Sequence, residues 1–385
     1  MLSSGVSFLV FIYIARMVPL NIFGEYSLLM AYSAIGTMAF YSIIRRSIVR
    51  LGGVDETLLK VMYTLSLYIT VLLIVFSMFV LFYVDDIKFV YVLSLIFSLG
   101  LFDTLQEINL AKGKQFIFNV NIFLRALLTL VLIILSDYIL EVGLLEIILS
   151  LSISYMFFAI VNAVYYRWLV TVDVSFSAIG KIIGFGFPLM LSTGMVYVID
   201  FFDRFYIARI LNDQAVGIYS GIYSLAQQIT GVVMVAIYSY YWPKIVSYYG
   251  NGNCIKSLNL RYGAVLLILS FTICLISGLF HQDIIYRILG VGFSSDSGLF
   301  FLITSAILIS CLKSYLVDVH FMLLKKTRYI FIISLFSALI NVILNVAFIP
   351  KFGIYGAAYS TIITFVFSIS LSIITVRRLY MLGLD

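Results

Sequence analysis

The sequence predicts an all-α integral membrane protein, with about twelve transmembrane helices in two parallel repeats of six. Three observations carry this expectation. The chain is 63% hydrophobic and only 11% charged, against roughly 45–50% apolar and about 25% charged for soluble domains. Apolar runs of 18 or more residues recur along its whole length, each long enough for a bilayer core of about 30 Å. Finally, Tyr13-Ile14-Ala15-Arg16 with Gly24-Glu25-Tyr26-Ser27 returns as Tyr206-Ile207-Ala208-Arg209 with Gly217-Ile218-Tyr219-Ser220, both blocks displaced by 193 residues. Two blocks held in one register mark duplicated halves.

Within hydrocarbon the backbone must satisfy itself, so the choice lies between helices and a closed barrel. Barrel strands alternate in hydrophobicity over about ten residues. Leu65 to Phe82 and Phe331 to Ile349 do not alternate, which selects helices. The first span, near 2–17, stops before Pro19, and the second, near 25–44, stops before Gly52-Gly53. The third and fourth, near 61–84 and 89–110, lead to Gly113. Gly143 separates the fifth and sixth, near 117–136 and 144–166. Gly184, Gly186 and Pro188 open the seventh, near 182–208, and Gly250 to Gly252 follow the eighth, near 215–242. The ninth, near 260–280, gives way to Gly290 to Gly298, where the tenth, near 298–322, begins. Pro350 to Gly353 divides the eleventh, near 329–349, from the twelfth, near 354–376. Such breakers belong in turns.

The halves divide at 170/171: residues 1–170 form an N-terminal six-helix bundle and 171–385 a C-terminal one. Gly143 with Arg167 recurs as Gly353 with Arg377, both pairs 24 apart. Six helices return the chain to its starting side, so the repeats are related by an axis along the membrane normal. About 25 residues of the seventh span precede Tyr206, but only twelve precede Tyr13. The first helix therefore lacks about two or three turns at ~3.6 residues per turn. A start upstream of Met1 is one account and a short or re-entrant first span the other. Leu2 to Met17 lacks a basic start and contains the repeated motif, unlike a cleavable signal peptide.

The net charge of +6 lies mostly in short loops, which reads as topology signalling and not as a nucleic-acid surface. Arg45, Arg46, Arg50 and Lys60, Lys112 and Lys114, Arg167 and Lys181, Lys244 and Lys256, Lys325, Lys326 and Arg328, and Arg377 and Arg378 follow even-numbered spans. Odd-numbered spans are followed only by Arg16, Lys88, Arg204, Arg209, Arg287 and Lys351. The positive-inside rule then places both termini in the cytoplasm. Cys254, Cys274 and Cys311 have no metal-type spacing and imply no disulfide framework. No cofactor motif, phosphate loop or catalytic constellation is visible, and a non-enzymatic chain is expected.

An Ala-Arg closing the first span, a short loop, and Gly-x-Tyr-Ser opening the second resemble the start of polysaccharide-repeat flippases. These are the Wzx-type members of the multidrug/oligosaccharidyl-lipid/polysaccharide exporter superfamily. Arg45-Arg46 to Arg50, Asp203-Arg204-Phe205 and Trp242-Pro243 resemble the same family, and the likeness covers nearly the whole chain in span count and loop length. The resemblance implies a MATE-like, V-shaped pair of bundles around a central cavity. It also implies transfer of an undecaprenyl-pyrophosphate-linked sugar repeat unit from the inner to the outer leaflet of a bacterial cytoplasmic membrane, for O-antigen or capsular polysaccharide. Proton or sodium coupling and contact with a polysaccharide polymerase and chain-length regulator belong to the same expectation. Lipid II flippases carry arginines inside the first helix, whereas this helix has none before Arg16.

Charged groups at membrane depth cost about 2.5–3.5 kcal/mol each on insertion scales, which makes each a functional candidate. Arg125 stands near the middle of the fifth span, with Asn121 and Thr129 one turn away on its face. Its planar donors suit a pyrophosphate head; a carboxylate on another helix, Asp103 or Glu107, is the structural alternative. Asp103 and Glu107 are i,i+4, two like charges on one face, an arrangement that suits proton uptake unless Glu107 snorkels beside Lys112. Asp200 and Arg204 are also i,i+4 and can pair, which leaves Asp203 as the freer carboxylate. Lys313 and Asp318 are five apart, off a shared face, and are expected to meet partners elsewhere. Arg16 and Glu25 flank the first outer loop, and an acidic residue sits near that loop in lipid II flippases. Tyr219, Tyr223 and Gln227 form a polar-aromatic stripe suited to sugar rings. Substrate contacts are thus expected from Arg125, Arg204, Lys313, Arg16, Tyr219, Tyr223 and Gln227. Ion coupling is expected from Asp203, Asp200, Asp103, Glu107, Glu25 and Asp318. Both histidines, His281 and His320, lie near interfaces, and His320 reads as a wetted histidine in preference to a proton relay.

Two rivals are weighed. A repeat-unit polymerase is similarly apolar but typically has a large outer loop, which is absent here, and it leaves the six-plus-six repeat unexplained. A drug–cation antiporter wants an acidic cavity, against Arg125 and Lys313.

Overall fold

The computed structural model describes residues 2–83, 87–140, 143–247 and 252–381, with the backbone alone at 2, 3, 82, 140 and 252–259. Asp85, Glu141 and Gly250 therefore fall outside the described residues, as do the side chains of Cys254 and Lys256. Described residues form helices and turns, without strands. The helices are α1 (Leu2–Met17), α2 (Leu20–Ser47), α3 (Glu56–Tyr83), α4 (Ile87–Ala111), α5 (Gln115–Leu140) and α6 (Leu144–Tyr165). They continue as α7 (Phe176–Ile210), α8 (Asp213–Ser247), α9 (Gly252–Ile288), α10 (Gly298–Leu323), α11 (Arg328–Phe352) and α12 (Ile354–Met381). Each expected span lies on one of them. Among the described residues eleven helices are long and apolar enough to cross a membrane, and α1 is a shorter apolar helix.

Two helices carry π turns. Ile48–Gly52 prolongs α2 beyond its arginines, and Lys313–Val317 interrupts α10. α7 starts at Phe176 and runs through Pro188, so the glycines and proline expected to open the seventh span lie inside it. The ninth span does not end at Phe280: that residue (φ −117°, ψ 17°) is a kink within α9. Helix ends follow local chemistry. Before α3, Asp55 Oδ1 accepts from the Thr57 amide at 2.9 Å, the Thr57 hydroxyl at 2.6 Å and the Leu58 amide at 3.3 Å. The Thr57 hydroxyl bond, with the amides behind it, holds this exposed carboxyl below its ordinary range. α4 ends in a Schellman turn: Lys114 N donates to Asn109 O at 2.8 Å and Gly113 N to Leu110 O at 2.9 Å, with Gly113 at φ +70°. α10 ends in the same turn, where Lys326 N reaches Phe321 O and Lys325 takes φ +55°. The duplicated halves thus share a turn that their residue types do not.

Two compact units make up the chain, Met1–Tyr197 and Val198–Asp385, and their boundary falls inside α7. The division expected at 170/171 came from the sequence repeat, whereas this boundary comes from packing. In the first unit α4 is central, packed against α2, α3 and α6, while α1 lies on α5. The first part of α7 joins this unit through α2. Arg46 Nη2 donates to Thr193 Oγ1 at 3.1 Å, and Ser47 Oγ to the Ile182 carbonyl at 3.2 Å. In the second unit α10 is central in the same way, packed against α8, α9 and α12. Both copies of the repeated motif serve packing: Ile14 and Ile207, Gly24 and Gly217, and Ser27 and Ser220 are buried, while Arg16 and Arg209 are exposed.

Candidate functional site

Arg125 lies near the middle of α5, with 9% of its surface exposed. No carboxylate forms an ion pair with it among the described residues. Its guanidinium lies over the Tyr155 ring at 4.3 Å and within 5.9 Å of the Phe102 ring. The two polar neighbours expected on its face are engaged elsewhere. Asn121 donates to Asn162 Oδ1 at 3.0 Å, and Thr129 donates to the Arg125 carbonyl at 3.0 Å while sharing a 2.6 Å bond with Ser154. Arg125 instead borders a cavity of about 140 Å³ within the first unit, walled by Ser7, Val10, Phe11, Tyr26, Met30 and Tyr155 among others.

Asp103 and Glu107 belong to another arginine. Arg45 Nη1 lies 2.9 Å from Asp103 Oδ2, and Nη2 lies 4.0 Å from Glu107 Oε1. One planar guanidinium bridges the two like charges. Sequence reasoning assigned Arg45 to topology; the available signal was that the apolar stretch of α2 continues past it to Leu51. Lys112 does not take Glu107 and instead lies 3.7 Å from Glu56.

In the second unit the expected Asp200–Arg204 ion pair is absent among the described residues. Arg204 lies over the Phe201 and Tyr223 rings, each at 5.2 Å, and its Nε has no hydrogen-bond partner. Asp203 is not the freer carboxylate. It is fully buried, accepting from the Tyr219 hydroxyl at 2.5 Å and the Arg204 amide at 2.7 Å. That bond ties α7 to α8 and occupies the hydroxyl expected to face a sugar. Tyr219 and Tyr223 are buried, and of the stripe only Gln227 is exposed.

Lys313 and Asp318 meet each other, contrary to the expectation of partners elsewhere. Lys313 Nζ donates to Asp318 Oδ2 at 2.6 Å, both residues are buried, and Ser372 Oγ lies 3.4 Å from Asp318 Oδ1. On an α-helix residues five apart diverge; the π turn at Lys313–Val317 widens the helix so that i and i+5 come together. Of the remaining candidates, Arg16 is exposed at the end of α1, and Glu25 pairs with Lys88 at 2.8 Å. His281 bonds Ser297 at 3.1 Å and His320 bonds the Tyr380 hydroxyl at 2.9 Å.

The polysaccharide biosynthesis protein family matches residues 1–248. The chain belongs to that family. The match takes in the whole first unit, the Arg125 cavity and both copies of the repeated motif. Among curated proteins nothing matches the chain. In fold this family member is similar to a multidrug resistance MATE-family transporter of the MOP superfamily in its inward-facing conformation. The TM-score is 0.73 at 12% identity, over 98% of this chain and 95% of that one. It is similar also to the lipid II flippase MurJ in an inward closed conformation, with TM-score 0.66 and 14% identity over 97% and 86% of the two chains. A mutant of the Vibrio cholerae MATE transporter VcmN gives 0.65 at 13% identity over 98% and 94%. At these identities the likeness establishes the fold. In this polysaccharide biosynthesis protein Tyr26 and Tyr155, which sequence reasoning did not name as site residues, stand beside Arg125; Tyr26 carried a sequence signal in the repeat, and Tyr155 carried none.

Proposed function

We propose that the chain is a flippase. It moves an undecaprenyl-pyrophosphate-linked oligosaccharide repeat unit from the cytoplasmic to the outer leaflet by alternating access, for O-antigen or capsular polysaccharide assembly. The observation that carries this reading is the family match over residues 1–248, on a fold shared with MATE transporters and a lipid II flippase. Such a cargo needs a polar route for a sugar head through apolar surroundings. Buried charge in both units is consistent with that requirement: Arg125, Arg204, Lys313, Asp203 and Asp318 are all at least nine-tenths buried. A bacterial cytoplasmic membrane, cytoplasmic termini, coupling to protons or sodium, and contact with a polymerase and chain-length regulator complete the reading. Among the described residues the longest connections between helices, 166–175 and 289–297, give no special support to a polymerase.

The test is removal of the protein from its cell, followed by leaflet-resolved analysis of lipid-linked sugars. Complete repeat units stranded at the cytoplasmic face are the expected result. Exported but unpolymerised units would replace this reading with the polymerase.

A further inference from the structure

The two repeats hold the same place twice, filled in opposite ways. Adding the repeat offset of 193 to Ser7, Val10, Phe11, Tyr26 and Met30 gives Asp200, Asp203, Arg204, Tyr219 and Tyr223. The first five wall the Arg125 cavity. The second five are the cluster of α7 and α8, which satisfies its tyrosine internally: Tyr219 donates to the buried Asp203 carboxylate. In the first unit Val10 stands at the carboxylate's position, and Tyr26, the mate of Tyr219, has no hydrogen-bond partner among the described residues. Ser7 and Tyr155 border the same cavity and likewise have none.

Arg125 adds a guanidinium, which can only donate. A guanidinium and the hydroxyls of Ser7, Tyr26 and Tyr155, each able to donate, therefore border a space with no carboxylate in its walls, at the position where the other repeat supplies one. The carboxylates nearest to it are already answered: Arg45 bridges Asp103 and Glu107, and no carboxylate pairs with Arg125 among the described residues. The cavity of about 140 Å³ is below the roughly 300–1,000 Å³ of sites for drug-sized ligands. At ~30 Å³ per water it has room for about four or five water-sized groups. That volume suits one small group.

We propose that this cavity binds a single phosphoryl group, which takes the place that the Asp203 carboxylate fills in the second unit. The group comes either from a free phosphate ion or from the head of a phosphorylated lipid. Only the lipid source rests on the flippase reading, so this site and that reading can fail separately.

The experiment uses the full chain in nanodiscs of zwitterionic lipid, with inorganic phosphate titrated in by equilibrium dialysis. Saturable binding of one phosphate per chain is expected. Arg125→Ala should weaken it about tenfold or more, a loss of about 1.4 kcal/mol. Val10→Asp, which installs the carboxylate of the second repeat, should weaken it comparably. Tyr26→Phe, nearly isosteric, should weaken it less and keeps the test sound if either other variant fails to fold. Polyprenyl phosphate that displaces the phosphate assigns the site to a lipid head, and indifference to that lipid assigns it to the free ion; both uphold the site. Absence of saturable binding by folded wild type, or equal binding by the folded variants, would overturn it.

Discussion

Lys313 and Asp318 meet at 2.6 Å because the backbone between them is a π turn. Each would be an isolated buried charge without the other. Removing one partner of such a pair typically costs about 3–5 kcal/mol, because the survivor is left desolvated and unpaired. Lys313→Met and Asp318→Leu are therefore each expected to lower the thermal stability of the purified protein, followed by size-exclusion after heating. The double variant should recover most of the loss, since an apolar pair of similar volume carries no desolvation cost. Additive losses in the double variant would show that the two side chains do not act as a pair. Arg45 presents the same lesson: its partners were legible as Asp103 and Glu107 on one face, yet the helix that brings the arginine to them is another one.

At the scale of the element, α7 shows how composition misleads about boundaries. Gly184, Gly186 and Pro188 read as a helix start, but the helix begins at Phe176. Proline is tolerated inside membrane helices when neighbours and local adjustments re-satisfy the freed carbonyl. The two glycines have different surroundings. A Cβ on Gly186 would strike the Ile43 carbonyl on α2, whereas a Cβ on Gly184 would meet open space. Gly186→Ala should destabilise the first unit by about 1–3 kcal/mol, the usual scale of overpacking. Gly184→Ala should have the stability of wild type. Thermal melts of the two alanine variants side by side provide the check, and equal melts would remove α2 as the reason for Gly186.

For the whole molecule, the distribution of lysine and arginine makes a prediction about topology. Cysteines placed singly near Asp85, Glu141, Asn212, Gly292 and Phe352 are expected to react with an impermeant thiol reagent from outside. Cysteines at Gly52, Gly113, Gly252 and the C-terminus are expected to react only after the membrane is opened. Labelling of Gly252 from outside would invert or break this arrangement. The expectation rests on charges that the insertion machinery reads near span ends, and each connection among the described residues is short enough for that rule to apply.

Hydropathy alone determined that the protein is a bundle of helices in a membrane, and the offset of 193 alone determined that it is built twice. Both are local or linear properties: an apolar run has few alternatives in hydrocarbon, and a duplication keeps its register along the chain. Partner choice is neither. Whether Asp203 holds Tyr219, whether Arg45 spans Asp103 and Glu107, and whether Arg125 is left facing a cavity depend on which helix faces which. A π turn that moves Asp318 onto Lys313 depends on backbone geometry that residue types do not encode. The repeat placed Tyr26 and Tyr219 at equivalent positions, but only the folded units decided their environments: Tyr219 is satisfied by a buried carboxylate, and Tyr26 opens onto the space beside Arg125.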